Sequence, residues 1–215
     1  MSESANQSDA GPGKITADLF RLESARLVAM LTGQFGTHRL QLAEDVVQEA
    51  LLRALQTWPY RGVPDNPAAW LTQTARNLAL NHVRRKRNWN EKQAGISHEH
   101  GRWMGAPSPR EENADTFTDD TLRMMFVCFH PQLSPEAQTA LALRTLCGLS
   151  PGEIAAAFLT SEAAIAKRLV RARQRIRELN LPFIVPTPDE LPARLDGVLA
   201  TLYLLFNRRL QALLR

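Results

Sequence analysis

The sequence has 215 residues with 44% hydrophobic and 22% charged side chains, enough apolar content to close a core and too much for a wholly disordered chain. Its formal net charge of +4 is unevenly spread: Arg84, Arg85, Lys86 and Arg87 form one basic cluster, and Lys167, Arg168, Arg171, Arg173, Arg175 and Arg177 a second. Two distant cysteines, Cys128 and Cys147, belong to no CxxC pair and point to neither a disulfide framework nor a thiolate zinc site, as in a reducing cytoplasm.

Residues 1–14 are small and polar, without the charged-then-apolar pattern of a signal peptide, and read as a disordered tail. From Thr16 to about Gln34, Leu19, Leu22, Ala25, Ala29 and Met30 recur at helical intervals and end at Gly33 and Gly36. From Ala43 to Trp58 the pattern is stronger: Ala43, Val46, Val47, Ala50, Leu51, Ala54, Leu55 and Trp58 make one stripe expected to be buried, with Pro59 as the stop. Asn66 is a good N-cap for a third helix, Pro67 suits its first position, and Trp70, Leu71, Ala75 and Leu78 carry it to Arg87. These helices make a first module over residues 15–87.

Residues 88–118 hold Gly95, Gly101, Gly105, Pro107 and Pro109 with little periodicity, the composition of a linker, and Glu111, Glu112, Asp115, Asp119 and Asp120 make its end acidic. A second module, 119–180, begins with a short helix through Leu122, Met125, Phe126 and Phe129 that breaks at Pro131. Ser134 and Pro135 start the next helix and Gly148 ends it. Ser150, Pro151 and Glu153 spell a capping box for another, and Ser161 caps a helix through Ile165, Leu169, Ala172 and Ile176. The short Phe158–Thr160 connection between the last two suits a helix-turn-helix. Residues 181–215 are a connector with Pro182, Pro186, Pro188 and Pro192, then a final helix from about Ala193. The run Val198–Phe206 is too short to cross a bilayer, so no membrane span and a cytoplasmic location are expected. With no sustained period-two alternation, the expected fold is all-α: two small helical domains joined by a flexible linker, plus a C-terminal helix.

On the helix from Ser161, burial of Ile165, Leu169, Ala172 and Ile176 leaves Arg168, Arg171 and Arg175 on one flank. The second helix of such a motif enters the major groove, so Ser161, Glu162, Ala163, Ala164, Lys167 and Arg168 stand where bases are read, and Arg171 and Arg173 where phosphates lie. A plain solvated helix is the alternative. In the first module Arg76, Asn77, Asn81, Arg84 and Arg85 lie off the apolar stripe, beside a loop with Trp58, Tyr60, Asp65 and Asn66. Amide, aromatic and basic groups together suit unstacked bases, while Trp58 and Trp70 serve equally as core residues. On the second helix Glu44, Asp45, Gln48, Glu49 and Leu52 lie opposite the stripe, as a solvated face or as a docking surface for a partner helix. His98, His100 and Cys128 lack metal-ligand spacing, and no phosphate-cradling loop, nucleophile motif or carboxylate pair is present, so no metal, cofactor or enzymatic activity is expected.

The segments AEDVVQEALLRAL at Ala43–Leu55 and NPAAWLTQTARNLALNHVRRKR at Asn66–Arg87 closely resemble region two of extracytoplasmic-function sigma factors, and LSPEAQTALALRTLCGLSPGEIAAAFLTSEAAIAKRLVRARQRIRE at Leu133–Glu178 resembles their region four. The resemblance implies a sigma subunit whose Asp45, Gln48, Glu49 and Leu52 bind the β′ clamp helices of core RNA polymerase, with the β flap as a further contact. It implies that Tyr60, Asn66, Arg76, Asn77, Asn81, Arg84 and Arg85 melt and read the minus-ten element of promoter DNA. The helix from Ser161 would read the minus-thirty-five element as duplex, the linker would run through the RNA-exit channel, and an anti-sigma factor is a further implied partner. DDTLRMMFVCFHPQL at Asp119–Leu133 and LPARLDGVLATLYLLFN at Leu191–Asn207 resemble a subgroup with a long C-terminal helical extension. Here NRRLQALLR closes the sequence, so a truncated extension is expected, and Ala166 stands where many relatives carry a basic residue. The competing functional readings are a helix-turn-helix regulator that binds operators without acting as a sigma subunit, and a relative that docks on polymerase but cannot open promoters.

Overall fold

The computed structural model describes residues 12–93 and 114–213, which form eight α-helices and two 3-10 turns, with no strand among the described residues. The N-terminal tail to residue 11, His98, His100, Glu111 and Glu112 lie outside them. The first module comprises α1 (Pro12–Phe35), a 3-10 turn (Thr37–Arg39), α2 (Leu40–Arg61) and α3 (Pro67–Gln93). The second comprises α4 (Ala114–Cys128), α5 (Pro135–Thr145), α6 (Pro151–Ala157) and α7 (Glu162–Leu179), followed by a 3-10 turn (Pro188–Glu190) and α8 (Pro192–Leu213).

Local chemistry explains most of these ends. Asn66 Oδ1 accepts from the Ala69 N–H at 3.0 Å, and the Ser134 and Ser161 side chains accept from Ala137 and Ala164, so each serves an amide that its helix leaves unpaired. At α6 the capping box is complete: Ser150 Oγ accepts from the Glu153 N–H at 3.2 Å and Glu153 Oε2 from the Ser150 N–H at 2.8 Å. Replacing Ser150 with Ala is expected to cost about 1 kcal/mol, read as a shift of the denaturant midpoint at constant slope; an unchanged midpoint would show that the box is idle.

Several boundaries differ from the sequence expectation. Helix α2 runs through Pro59 and ends at Gly62, whose N–H still donates to the Trp58 carbonyl at 2.9 Å and whose positive φ of 81°, open to glycine, then turns the chain out of the helix. Proline removes only the bond to the Leu55 carbonyl, on the exposed side of the last turns, where water can serve it. Helix α1 begins four residues early at Pro12, α3 continues past Arg87 to Gln93, and α4 starts at Ala114, inside the expected linker. Leu55 is not in the stripe at all: it is 52% exposed.

Beyond the two-module expectation, the modules share one core. Helix α1 packs on α2 and α3 of its own module and on α4 and α5 of the other, and Leu27, Leu31, Val47 and Leu71 join Met124, Leu141, Ile154 and Ile165 in one buried cluster. The connector reinforces this. Thr37 Oγ1 donates to the Leu181 carbonyl at 2.6 Å, and the Phe183 ring lies over Gly33, where an added Cβ would fall 2.9 Å from it. Helix α8 leans on α5 in the same way: a Cβ on Gly197 would come within 2.5 Å of Gln138 Oε1 and 2.8 Å of the Phe129 ring. Arg194, buried on the inner side of the first turn of α8, donates to the Phe126 carbonyl at 2.8 Å and stacks on the Phe126 ring. Burial pushes the Cys128 thiol far above its ordinary pKa, which leaves it an inert packing group.

Candidate nucleic-acid and partner interfaces

Helix α2 divides its side chains cleanly. Ala43, Val46, Val47, Ala50 and Ala54 face the core, while Asp45, Gln48, Glu49 and Leu52 are exposed, Leu52 at 57%. Helical geometry puts Asp45, Gln48, Leu52 and Leu55 on one strip, with Glu49 beside it. Two leucines open to solvent between acids and amides form a patch suited to another protein's helix. Leu55 was missed because its spacing also fits the buried stripe. Asp45 accepts from Gln41 Nε2 at 2.9 Å and Glu49 pairs with Arg53 at 2.6 Å, contacts within the exposed turn that a partner can replace cheaply.

Glu44 belongs elsewhere. Expected on the same face, it is 6% exposed, where it accepts from Thr145 Oγ1 at 3.0 Å and lies 2.6 Å from Arg173 Nε. The arginine contact is an ion pair rather than an aligned hydrogen bond, since neither Nε nor Oε2 has hydrogen-bond geometry. Arg173, placed by the sequence on a DNA phosphate, is thus turned toward the first module and held there.

On α3, Asn77, Asn81, Arg84 and Arg85 are exposed and Arg76 is half-buried, on the side away from Leu71, Ala75 and Ala79. Asn77 Oδ1 accepts from Gln73 at 3.1 Å, leaving its amide nitrogen free to donate. Tyr60 is 89% exposed at the end of α2, and Asn66 spends its side chain on the α3 cap. The tryptophans are settled in favour of the core: Trp58 is buried between Phe20 and Trp70, with ring centroids 5.6 Å away on both sides. The residues that this basic, amide-rich face exposes are therefore Tyr60 and those of α3, and Trp58 is not among them.

In the second module, α6 and α7 meet at a tight turn in which Leu159 takes a left-handed φ of 51°. Ile165, Leu169, Ala172 and Ile176 are buried, as their spacing requires. Lys167, Arg168, Arg171 and Arg175 line a groove running from α7 to Ser134 and Glu136 at the start of α5. Arg168 is stacked over the Phe158 ring at 5.3 Å, so its guanidinium is pre-positioned. Glu136 stays ionised: its own backbone N–H, then the Ser134 hydroxyl, hold its pKa below the usual carboxylate range. Ser161 is occupied as a cap, Glu162 and Ala163 are exposed on the first turn, and Ala164 is half-buried on the groove side. Among the described residues no group of three or more His, Cys, Asp or Glu could hold a metal ion, and no described helix is long and apolar enough to cross a membrane.

Comparison with known proteins fits this division. The family model for sigma-70 region 2 matches residues 20–88 and that for sigma-70 region 4 matches residues 123–176. An uncharacterized protein of Rhizobium meliloti is 39% identical over 198 residues, covering 89% of this chain and 45% of that protein. The extracytoplasmic-function (ECF) RNA polymerase sigma factor SigG of Mycobacterium tuberculosis is 28% identical over 157 residues, covering 66% of this chain and 42% of SigG. The ECF RNA polymerase sigma factor BldN of Streptomyces coelicolor is 29% identical over 140 residues, 64% of this chain and 50% of BldN. The chain thus spans about half the length of these relatives or less.

Proposed function

Because the chain belongs to the sigma-70 family of RNA polymerase sigma factors and carries its regions 2 and 4, we propose that it binds core polymerase and directs it to promoter DNA. The observation that carries this reading is the presence, in one chain, of two differently built nucleic-acid faces and a separate apolar-acidic strip. An operator-binding regulator needs only the helix-turn-helix.

In this reading Asp45, Gln48, Leu52 and Leu55 dock on the polymerase clamp, with Glu49 at the rim. The leucines supply the desolvated contact and the acids set orientation and encounter rate. Tyr60 and the α3 face of Arg76, Asn77, Asn81, Arg84 and Arg85 hold the minus-ten element as separated strands, since stacking and edge hydrogen bonds require bases swung out of the duplex. Helix α7 enters the major groove of the minus-thirty-five element, its Arg168, Arg171 and Arg175 flank lying along one phosphate strand. Arg173 takes no part while it is paired with Glu44. The chain acts as a binding subunit, with the polymerase supplying the chemistry.

The test is reconstitution. Purified chain added to core polymerase should give start-site-specific transcription from promoters selected out of a random DNA pool. Asp45→Lys should weaken association with core polymerase by about tenfold or more while leaving helical content unchanged. Unaltered association would remove the docking assignment from α2, and no association of the parent chain would favour the operator-binding regulator.

A further inference from the structure

Around α7 the side chains fall into three sectors. Ile165, Leu169, Ala172 and Ile176 face the core, and the cationic flank of Arg168, Arg171 and Arg175 lines the groove toward α5, with Lys167 at its outer edge. Diametrically outward from the core stand Ala163, Lys167, Val170 and Gln174, at successive steps of four, three and four residues, all exposed. This outer strip is what a major groove would meet once a phosphate strand lies along the cationic flank, and its chemistry is unlike that flank. Lys167 contributes a charged donor, Gln174 donates its amide to Glu178 at 2.8 Å, and the rest is methyl groups. Val170 is 58% exposed in the middle of an otherwise charged stretch. A β-branched residue gives up helix propensity there and buries little within the chain.

Resting on the sigma-factor reading of α7, we infer that Ala163 and Val170 read thymine C5-methyl groups in the upstream promoter element, with Lys167 between them donating to a base acceptor. In the major groove only thymine presents a methyl group, and alanine or valine can distinguish it from the other bases by apolar contact alone. Guanine O6 and N7 or thymine O4 satisfy Lys167 equally well. Between Ala163 and Val170 the strip carries no carboxylate to accept from cytosine N4, the nearest outward one, Glu178, lying beyond Gln174, so cytosine is disfavoured opposite Lys167. Specificity at these positions comes from shape and desolvation rather than from the arginines, whose guanidiniums lie on the flank.

The experiment uses holoenzyme reconstituted from the full chain and core polymerase, with a duplex promoter selected from a random pool. Each thymidine of the upstream element is replaced singly by deoxyuridine, which removes one methyl group and leaves every hydrogen-bonding edge intact. At the position opposite Val170 the substitution should weaken binding about fourfold, the worth of one buried methyl group. Val170→Ala should lower affinity for the thymine duplex to a similar level and abolish the discrimination between thymine and uracil. Uniform insensitivity to deoxyuridine, or discrimination that survives Val170→Ala, would overturn the methyl-reading assignment. Scrambling the upstream element separates this from failure of the underlying reading: if scrambling matters and deoxyuridine does not, only the methyl assignment falls, and if scrambling does not matter, the duplex-reading role of α7 falls with it.

Discussion

Glu44→Ala is expected to loosen the packing of the two modules by about 3–5 kcal/mol, because it strands a buried guanidinium without its counter-charge. Glu44 and Arg173 are both largely withdrawn from water, with side-chain exposures of 7% and 14%, so solvent screening offers little relief. Thr145 loses its acceptor in the same step. The effect should appear as a lower thermal midpoint together with a larger radius in solution scattering, and Glu44→Ala with Arg173→Met should recover much of the loss, since the pair removed as a unit leaves no orphaned charge. A single variant indistinguishable from the parent in both measurements would show that the ion pair is dispensable. The prediction bears on function. Elements named minus ten and minus thirty-five lie about 25 base pairs apart, or about 85 Å of duplex at 3.4 Å per step. A compact chain of this length has a radius of gyration of only about 17 Å. The shared core must therefore open when one molecule holds both elements, and the Glu44–Arg173 contact is one that has to break.

The second large effect is expected from Ile165→Ala. Ile165 is fully buried where α7 meets α5 and α6, and truncation there should cost about 2–5 kcal/mol through lost transfer energy and the cavity left behind. Denaturant unfolding measures the cost directly. In function the variant should lose upstream-element binding while the α2 strip still docks, so that association with core polymerase persists as promoter selectivity declines. A midpoint shift worth less than about 1 kcal/mol would mean that the site collapses around the smaller side chain.

Much of this was legible in the sequence for a definite reason. Caps are local: Ser134, Ser150, Ser161 and Asn66 each act on an amide three residues away, so the chemistry that starts a helix is written beside its first turn. The period of Ile165, Leu169, Ala172 and Ile176 likewise fixes which side of α7 is buried and hence where Arg168, Arg171 and Arg175 must stand. What escaped is non-local or degenerate. Glu44 and Arg173 are surface-like charges on separate helices, and nothing near either announces that they meet. Leu55 satisfies both the buried period and the exposed strip, because a one-residue rotation decides between them. Pro59 reads as a stop until one sees that a proline near the end of a helix removes a single hydrogen bond, which Gly62 then follows with a proper termination. The docking strip rests on resemblance more than on pattern, since acidic residues on an amphipathic helix are ordinary.

Helix α1 touches α2 and α3, then α4 and α5, and Gly33 receives the Phe183 ring from the connector. During synthesis α1 is made before all of these partners: α4 and α5 follow only after the whole of α2 and α3, and Phe183 comes later still. Until then it must wait with its apolar side uncovered or under temporary cover, which makes the nascent chain a natural client for chaperones during that interval.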